Sequence, residues 1–350
     1  MRLTAFFHPL ATLASVTMLA ALSLAGCGGT TPARPDAGTQ PALSSSAPPV
    51  RIGIALGGGA AKGFAHIGVI KMLEANGFAP AVVSGTSAGS VVGALYASGM
   101  NAFEMQEKAV ALDEAKIRDL QLSSGGLVLG QKLEDYVNEQ VRRKPLEQMA
   151  KPFVVVATRL EDGERTVFAR GNTGQAVRAS SSVPGVFQPV TIGKYHFVDG
   201  GIVSPVPVDA ARQLGADIVI AVDISNKARG QTPGDMLGTL GQSIAIMGQK
   251  LGQAELARAD VIIRPQVLDI GSADFSQRTN AILEGEKAAL AVMPQIRERV
   301  AQLQAERANA ARAAQQKAAE AQYQTCLEKR SSLQKLAGMA RLDDSCTAPK

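Results

Sequence analysis

The sequence predicts an α/β domain built on a mainly parallel sheet with helices on both faces. Near-continuous apolar runs of strand length, at Arg51–Leu56, Phe153–Thr158 and Asp217–Ile224, lack polar alternation, as strands buried on both faces do. Between them lie stretches with apolar residues at helical spacing, and no unit recurs at a fixed period. Composition agrees, because 46% hydrophobic and 19% charged residues in a chain of 350 supply material for a large core. One principal domain with appendages is the expectation.

The amino terminus is an appendage. Arg2 precedes an apolar run from Leu10 to Leu24, which stops at Leu24-Ala25-Gly26-Cys27. This resembles a bacterial lipoprotein signal, in which residues 1–26 are removed and Cys27 is lipidated, so that the run is no transmembrane helix. An ordinary secretory leader is the competing reading. Gly28 in place of Asp after the cysteine resembles the pattern that sorts lipoproteins to the outer membrane, and implies a lipid-anchored protein of the cell envelope facing the periplasm. Residues 27–49 are almost all Gly, Thr, Ala, Pro, Ser and Gln, a disordered tether with a root-mean-square span of about 25 Å. The folded domain is expected over 50–303. The net charge of +5, or +4 without the leader, and the absence of Trp argue against a nucleic-acid partner.

Within the domain, the Arg51–Leu56 strand runs into Gly57-Gly58-Gly59-Ala60-Ala61-Lys62-Gly63 and then a helix from about Phe64 to Asn76. A glycine loop between strand and helix offers unpaired N–H groups to an anion. Lys62 precedes Gly63 and a Phe follows, which fits neither a P-loop nor a dinucleotide fingerprint; an oxyanion hole fits better, with a tight turn as the alternative. Next comes the strand Ala81–Ser84, then Gly85-Thr86-Ser87-Ala88-Gly89, and a helix through Ser98. Gly-x-Ser-x-Gly between strand and helix is the pattern of a nucleophile elbow, which holds a serine exposed in a strained turn. Asn101 is expected to cap a helix with Phe103, Met105, Ala109 and Val110 facing the core. After a break at Gly125-Gly126, a further helix runs from Gly130 to Val141 with Leu133, Tyr136 and Val137 inward.

Thr166–Phe168 turns back on the strand at Phe153 as an antiparallel edge, and Arg178–Val190 reads as a helix end breaking at Pro184-Gly185 into an irregular loop. Tyr195–Val198 leads into Asp199-Gly200-Gly201, in isolation a plain turn. Pro205–Leu214 reads as a helix, Leu237, Leu240, Ile244, Met247 and Leu251 mark one face of another, and Ala259–Ile263 is a last strand. The final patterned helix spans Gln277 to about Leu303. Residues 304–350 then form a helical extension, poor in large apolar side chains, whose Cys326 and Cys346 can pair in an oxidising compartment.

A serine nucleophile needs a base. Beyond the leader only His66 and His196 are on offer. His66 lies one turn into a helix packed on the sheet and reads as structural. His196 and Asp199, three apart on one strand, face opposite sides, which leaves Asp199 as the direct partner of Ser87.

The glycine loop, the Gly-Thr-Ser-Ala-Gly elbow and Asp-Gly-Gly, with Ala65-His66-Ile67-Gly68-Val69 and the segment from Ala179-Ser180 to Pro189-Val190, resemble the patatin-like phospholipases, and within them the bacterial branch related to neuropathy target esterase. The likeness covers about Arg51 to Ile224. It implies a three-layer α/β/α fold and a Ser-Asp dyad, with Ser87 as nucleophile and Asp199 as base, acting on acyl esters of lipids with no metal or cofactor. It further implies oxyanion donors at the N–H groups of Gly58, Gly59 and Ala60, with Gly57, Lys62, Gly63, Gly85, Gly89, Gly200 and Gly201 as supporting motif residues. Three positions depart from the family pattern: Ala60 stands for its third glycine, Lys62 for the more usual Arg, and Ser204 where many relatives carry Asn. The alanine preserves a backbone donor if its φ is negative. The expected substrates are phospholipids or other acyl esters, with membrane contact through lipidated Cys27. The same residues would serve acyl transfer, and a non-catalytic envelope lipoprotein binding lipid or a protein is the alternative.

Overall fold

The computed structural model describes residues 48–114, 119, 128–225, 227, 234, 236–337, 346 and 348. The leader, Cys27, the tether through Ala47 and the Gly125-Gly126 break lie outside them. An eight-stranded sheet forms the middle layer: β1 (Ile52–Leu56), β2 (Val82–Thr86), β3 (Phe153–Arg159), β4 (Arg165–Phe168), β5 (Val190–Ile192), β6 (Tyr195–Asp199), β7 (Ile218–Val222) and β8 (Val261–Ile263). Their order is β5-β6-β3-β2-β1-β7-β8, with β4 pairing β3 outside that path. The pairs from β3 through β2, β1 and β7 to β8 are parallel, and β4, β5 and β6 add antiparallel partners. The sheet is thus parallel where it is most buried and mixed on the side that carries Asp199.

Why these runs become central strands is visible in their burial. All five residues of β1, β2 and β7 are buried. Alternate residues serve different layers. Ile54, Leu56, Val83, Ile220 and Val222 join the large core with α1 (Ala65–Ala75), α2 (Ala88–Ala97) and α8 (Arg278–Ala337), whereas Ala55, Val82, Val219 and Ala221 pack with Val208 and Ala211 of α6 (Val208–Gln213). Three layers follow from period-two alternation in strands that have no polar face.

The remaining helices are α3 (Ala102–Val110), α4 (Gln131–Gln140), α5 (Thr173–Ser180) and α7 (Met236–Leu256). Asn101 caps α3 through a reciprocal capping box with Glu104. The apolar stripe expected on α3 is only half inward: Met105 and Ala109 are buried, but Phe103 and Val110 are exposed, and Lys71 Nζ lies 5.1 Å over the Phe103 ring. Helix α6 begins at Val208 rather than Pro205, because the stretch from Ser204 to Pro207 turns toward the site described below. Strand β5, with one buried residue of three, falls in the stretch expected to be irregular.

Helix α8 is a single helix that carries Pro294 and continues past the expected boundary at 303. Its first half buries Ala281, Ile282, Ala289, Met293 and Ile296; residues beyond Val300 are largely exposed. Arg307 fastens the start of the exposed part through the carbonyls of Pro48 and Pro49 and the Asp217 carboxylate. Cys326 and Cys346 are joined by a disulfide, with Cα atoms 5.9 Å apart.

Helices α1 and α8 cross backbone to backbone. A Cβ added at Gly68 would lie 1.9 Å from the Ile282 carbonyl oxygen, and one at Gly285 2.0 Å from that of Ala65. Helix propensity favours Ala over Gly by about 1 kcal/mol, but overpacking against backbone costs about 1–3 kcal/mol or more, so the clash decides the sign. Gly68→Ala is therefore expected to lower the chemical-denaturation midpoint by an amount equivalent to about 2 kcal/mol. An unchanged midpoint would mean that the two helices do not meet at Gly68.

Candidate active site

Ser87 sits between β2 and α2 with φ 53° and ψ −125°, a left-handed backbone that a non-glycine residue rarely adopts. Two glycines make the turn sterically feasible. A Cβ on Gly85 would lie 2.6 Å from the Gly89 oxygen, and one on Gly89 2.1 Å from the Leu56 oxygen. The elbow therefore brings the start of α2 directly onto the end of β1. Gly63 stands equally close to the Ala88 side chain, which packs the glycine loop beside the elbow.

Ser87 Oγ donates a 2.6 Å hydrogen bond to Asp199 Oδ2, and the other carboxylate oxygen accepts the Gly201 N–H at 2.7 Å. Strand register causes this meeting. Thr86 pairs with Val156 of β3, and Asp199 pairs with the next residue, Ala157. The aspartate backbone is held further by its N–H to the Ser182 carbonyl at 2.9 Å and by Thr158 Oγ1 donating to its carbonyl at 2.8 Å. Gly200 has no room for a side chain, since a Cβ would lie 2.1 Å from the Val156 oxygen. Asp199 is buried, and that burial pushes its pKa up to about 6, against the lowering effect of the Ser87 hydroxyl and Gly201 N–H.

Both histidines are elsewhere. His66 is wholly buried and its Nε2 donates to the Gly57 carbonyl at 2.8 Å; burial lowers its pKa to about 4, so it is neutral. Its task is to hold the glycine loop. His196 is exposed, with Nδ1 2.8 Å from Glu161 Oε1.

The glycine loop abuts the serine: a Cβ on Gly58 would come within 3.2 Å of the Ser87 Cβ. Its N–H groups are not equivalent. Gly57 N–H donates to Val222 O at 3.1 Å and Gly58 N–H to Pro205 O at 3.0 Å, so Gly58 is not the open donor that the resemblance implies. Among the described residues, no hydrogen bond occupies the N–H of Gly59 or Ala60. Ala60 has a φ of 53°, so the condition of a negative φ there is not met. Lys62 is fully buried in the turn that follows.

Two residues to which sequence reasoning gave no role, one of them named only within the family-like segment at Ala179-Ser180, belong to this assembly. Ser180, at the end of α5, accepts the Ser87 N–H on its Oγ at 2.8 Å and donates to the Val156 carbonyl at 2.6 Å. Glu255, on α7, is buried and accepts hydrogen bonds from Ser204 Oγ and, at 2.8 Å, from Val206 N–H. Between those two stands Pro205, whose carbonyl takes the Gly58 N–H. Burial raises the Glu255 pKa to about 7. Its sequence signal is faint: a single acid at the end of a helix with few charges. Ser204 thereby has a partner of its own.

Residues 54–212 match the family model described as patatin-like phospholipase. The chain carries a patatin-like phospholipase domain. That match contains the glycine loop, the elbow and Asp199-Gly200-Gly201. An uncharacterized NTE-family protein of Mycobacterium tuberculosis is 35% identical over 188 residues, which are 53% of this chain and 52% of that one. Lysophospholipase NTE1 of Pyricularia oryzae is 30% identical over 181 residues, 50% of this chain and 12% of its own. The chain thus spans about half the length of the mycobacterial relative. The crystal structure of VipD from Legionella pneumophila aligns with 71% of this chain and 67% of its own at 16% identity and a TM-score of 0.49. In the patatin-like domain, Ala60 is the position where a residue with a Cβ bears a backbone suited to glycine. Left-handed geometry costs an alanine about 1–2 kcal/mol, and glycine gives back about 0.5–1 kcal/mol in unfolded-state entropy. Ala60→Gly is expected to raise the melting temperature by about 1–3 °C; a fall would contradict the positive φ.

Proposed function

We propose that this protein is a serine acyl hydrolase that cleaves carboxylic esters of lipids, with Ser87 as nucleophile and Asp199 as its base. The observation that carries the proposal is the 2.6 Å hydrogen bond from Ser87 Oγ to a buried carboxylate, made at a strained strand-to-helix turn. Further support comes from the family match and from a relative named as a lysophospholipase. In the first step Ser87 Oγ attacks the ester carbonyl carbon while its proton passes to Asp199 Oδ2. The carbonyl oxygen becomes an oxyanion facing the N–H groups of Gly59 and Ala60. The carbon–oxygen bond to the alcohol breaks, the alcohol leaves with the proton from Asp199, and an acyl group remains on Ser87. Water then attacks that acyl group, giving its proton to Asp199, and the acid departs as Ser87 Oγ recovers a proton. A carboxylate with an ordinary pKa is a poor base for a hydroxyl; the raised pKa of Asp199 narrows the gap. Ser180 keeps the elbow in place by binding the Ser87 N–H.

The proposal extends to location: Cys27 as the lipidated amino terminus would hold the domain at the outer membrane, on its periplasmic side. Incorporation of a palmitate label that disappears in Cys27→Ala is the expected result; equal labelling of both would remove the anchor.

Fluorophosphonate labelling is expected on the wild type and absent from Ser87→Ala. Turnover of p-nitrophenyl esters and of phospholipid should fall by at least 100-fold in Ser87→Ala and in Asp199→Asn. Activity that survives Asp199→Asn but disappears in His196→Ala would overturn the dyad. The base works ionised, so kcat/KM is expected to fall about tenfold per pH unit below about pH 6. Stability has the opposite sign. The folded pKa exceeds the unfolded value of about 3.9, so Asp199 favours the fold most below pH 4, and that contribution is lost as pH rises through about 6. At pH 8, Asp199→Asn should therefore melt no lower than the wild type while being inactive.

A further inference from the structure

Helix α7 is charge-free from residue 236 to residue 249, and its apolar face is turned outward. Met236 is 84% exposed, Leu240 42%, Met247 51% and Leu251 40%. At about 100° per residue these four fall within an arc of about 60°. Gly248, Gly252 and Glu255 lie on another flank and face the body of the domain. A Cβ on Gly248 would lie 3.7 Å from the Gly201 carbonyl oxygen, and one on Gly252 3.5 Å from Pro205. The helix that bears the stripe therefore packs, by its other flank, on the segment that follows Asp199.

We propose that the Met236–Leu251 face of α7 lies on a lipid bilayer and seats the Ser87–Asp199 site at its surface. This rests on the lipid-ester reading for the choice of occupant. Four large apolar side chains along one helix are costly to leave in water, and a surface without charge offers a polar protein partner nothing to pair with. Thr239, Gln242, Ser243 and Gln249 make the helix too polar to span a membrane, and no helix of the described residues is long and apolar enough to cross one. A helix of that balance lies in the interface, its apolar side chains among the upper acyl carbons. The exposed Lys250 borders the stripe, where its ammonium would meet headgroup phosphates. The helix that touches Gly201 and Pro205 would then be the part of the domain nearest the substrate's own phase.

The test uses the full chain with Cys27→Ala, so that no amino-terminal lipid holds it on membranes, and with the Cys326–Cys346 disulfide intact. An environment-sensitive dye on Met247→Cys is expected to shift to the blue when vesicles of phosphatidylethanolamine and phosphatidylglycerol are added, and a dye on Gln316→Cys of α8 is not. Met247→Asp with Leu251→Asp should reduce turnover of vesicle phospholipid by about tenfold or more while leaving a soluble short-chain ester within about twofold. Absence of the dye shift, or an equal loss on both substrates, overturns the proposal. A shift produced by raising the protein concentration without vesicles also overturns it, and assigns the face to a second copy of the chain. If the wild type turns over neither substrate, the hydrolase reading fails while the dye still reports whether α7 meets lipid.

Discussion

The site depends on the register of one strand. β3 takes Thr86 of β2 against Val156 and Asp199 of β6 against Ala157, so two segments more than a hundred residues apart end on neighbouring positions. A one-residue slip of β6 would turn the carboxylate to the other face of the sheet. Local devices reinforce that register. Gly200 fits only because it has no side chain against Val156 O, Ser180 bridges the same carbonyl to the Ser87 N–H, and Thr158 binds the Asp199 carbonyl. Much of the polar bonding around the elbow thus converges on residues 156–158. The parallel strands on the other side supply the rigid floor, since β1 and β7 carry no exposed residue.

Burial is the second constraint, and the fold applies it to two carboxylates. Asp199 and Glu255 are both buried, and among the described residues no cationic side chain is hydrogen-bonded to either, so desolvation dominates and raises both pKa values. Their partners differ. Asp199 has a hydroxyl that can surrender its proton to it, whereas Glu255 binds Ser204 and Val206 and so fixes Pro205, whose carbonyl in turn ties down Gly58. One carboxylate stands against a hydroxyl and the other stiffens the loop beside it. Holding both acids away from water costs stability at neutral pH, the kind of cost that concentrates at functional sites.

What was legible in the sequence follows the same physics. β1, β2, β3 and β7 announce themselves because burial on both faces leaves no room for polar residues, and the elbow because its glycines are demanded by contacts under 3 Å. β5 was hidden: three residues with one buried leave almost no pattern. Periodicity located the stripe of α7 but could not say that it faces outward, because a helical repeat reports a common face and not what covers it. Equally, no local pattern reveals that the Gly58 N–H is taken by Pro205, or that Ala60 adopts a positive φ, since both depend on segments brought together by the sheet. Motif reading placed the glycine loop correctly beside Ser87 and erred on which of its N–H groups stay open.

That error narrows the chemistry. With Gly58 tied to Pro205, the loop N–H groups left without a hydrogen bond among the described residues are those of Gly59 and Ala60. A left-handed Ala60 costs about 1–2 kcal/mol, and the fold retains it without the glycine that would relieve it. Ala60 and Ser87 each carry a φ of 53°, one in the glycine loop and the other in the strand-to-helix turn that the loop abuts at Gly58. Close packing around both turns leaves their backbone little freedom to reorganise if charge develops there, as the proposed reaction requires. In the proposed reaction a hydroxyl paired with a lone carboxylate would need that rigidity more than one paired with an imidazole, because the weaker base leaves more of the barrier to fixed dipoles.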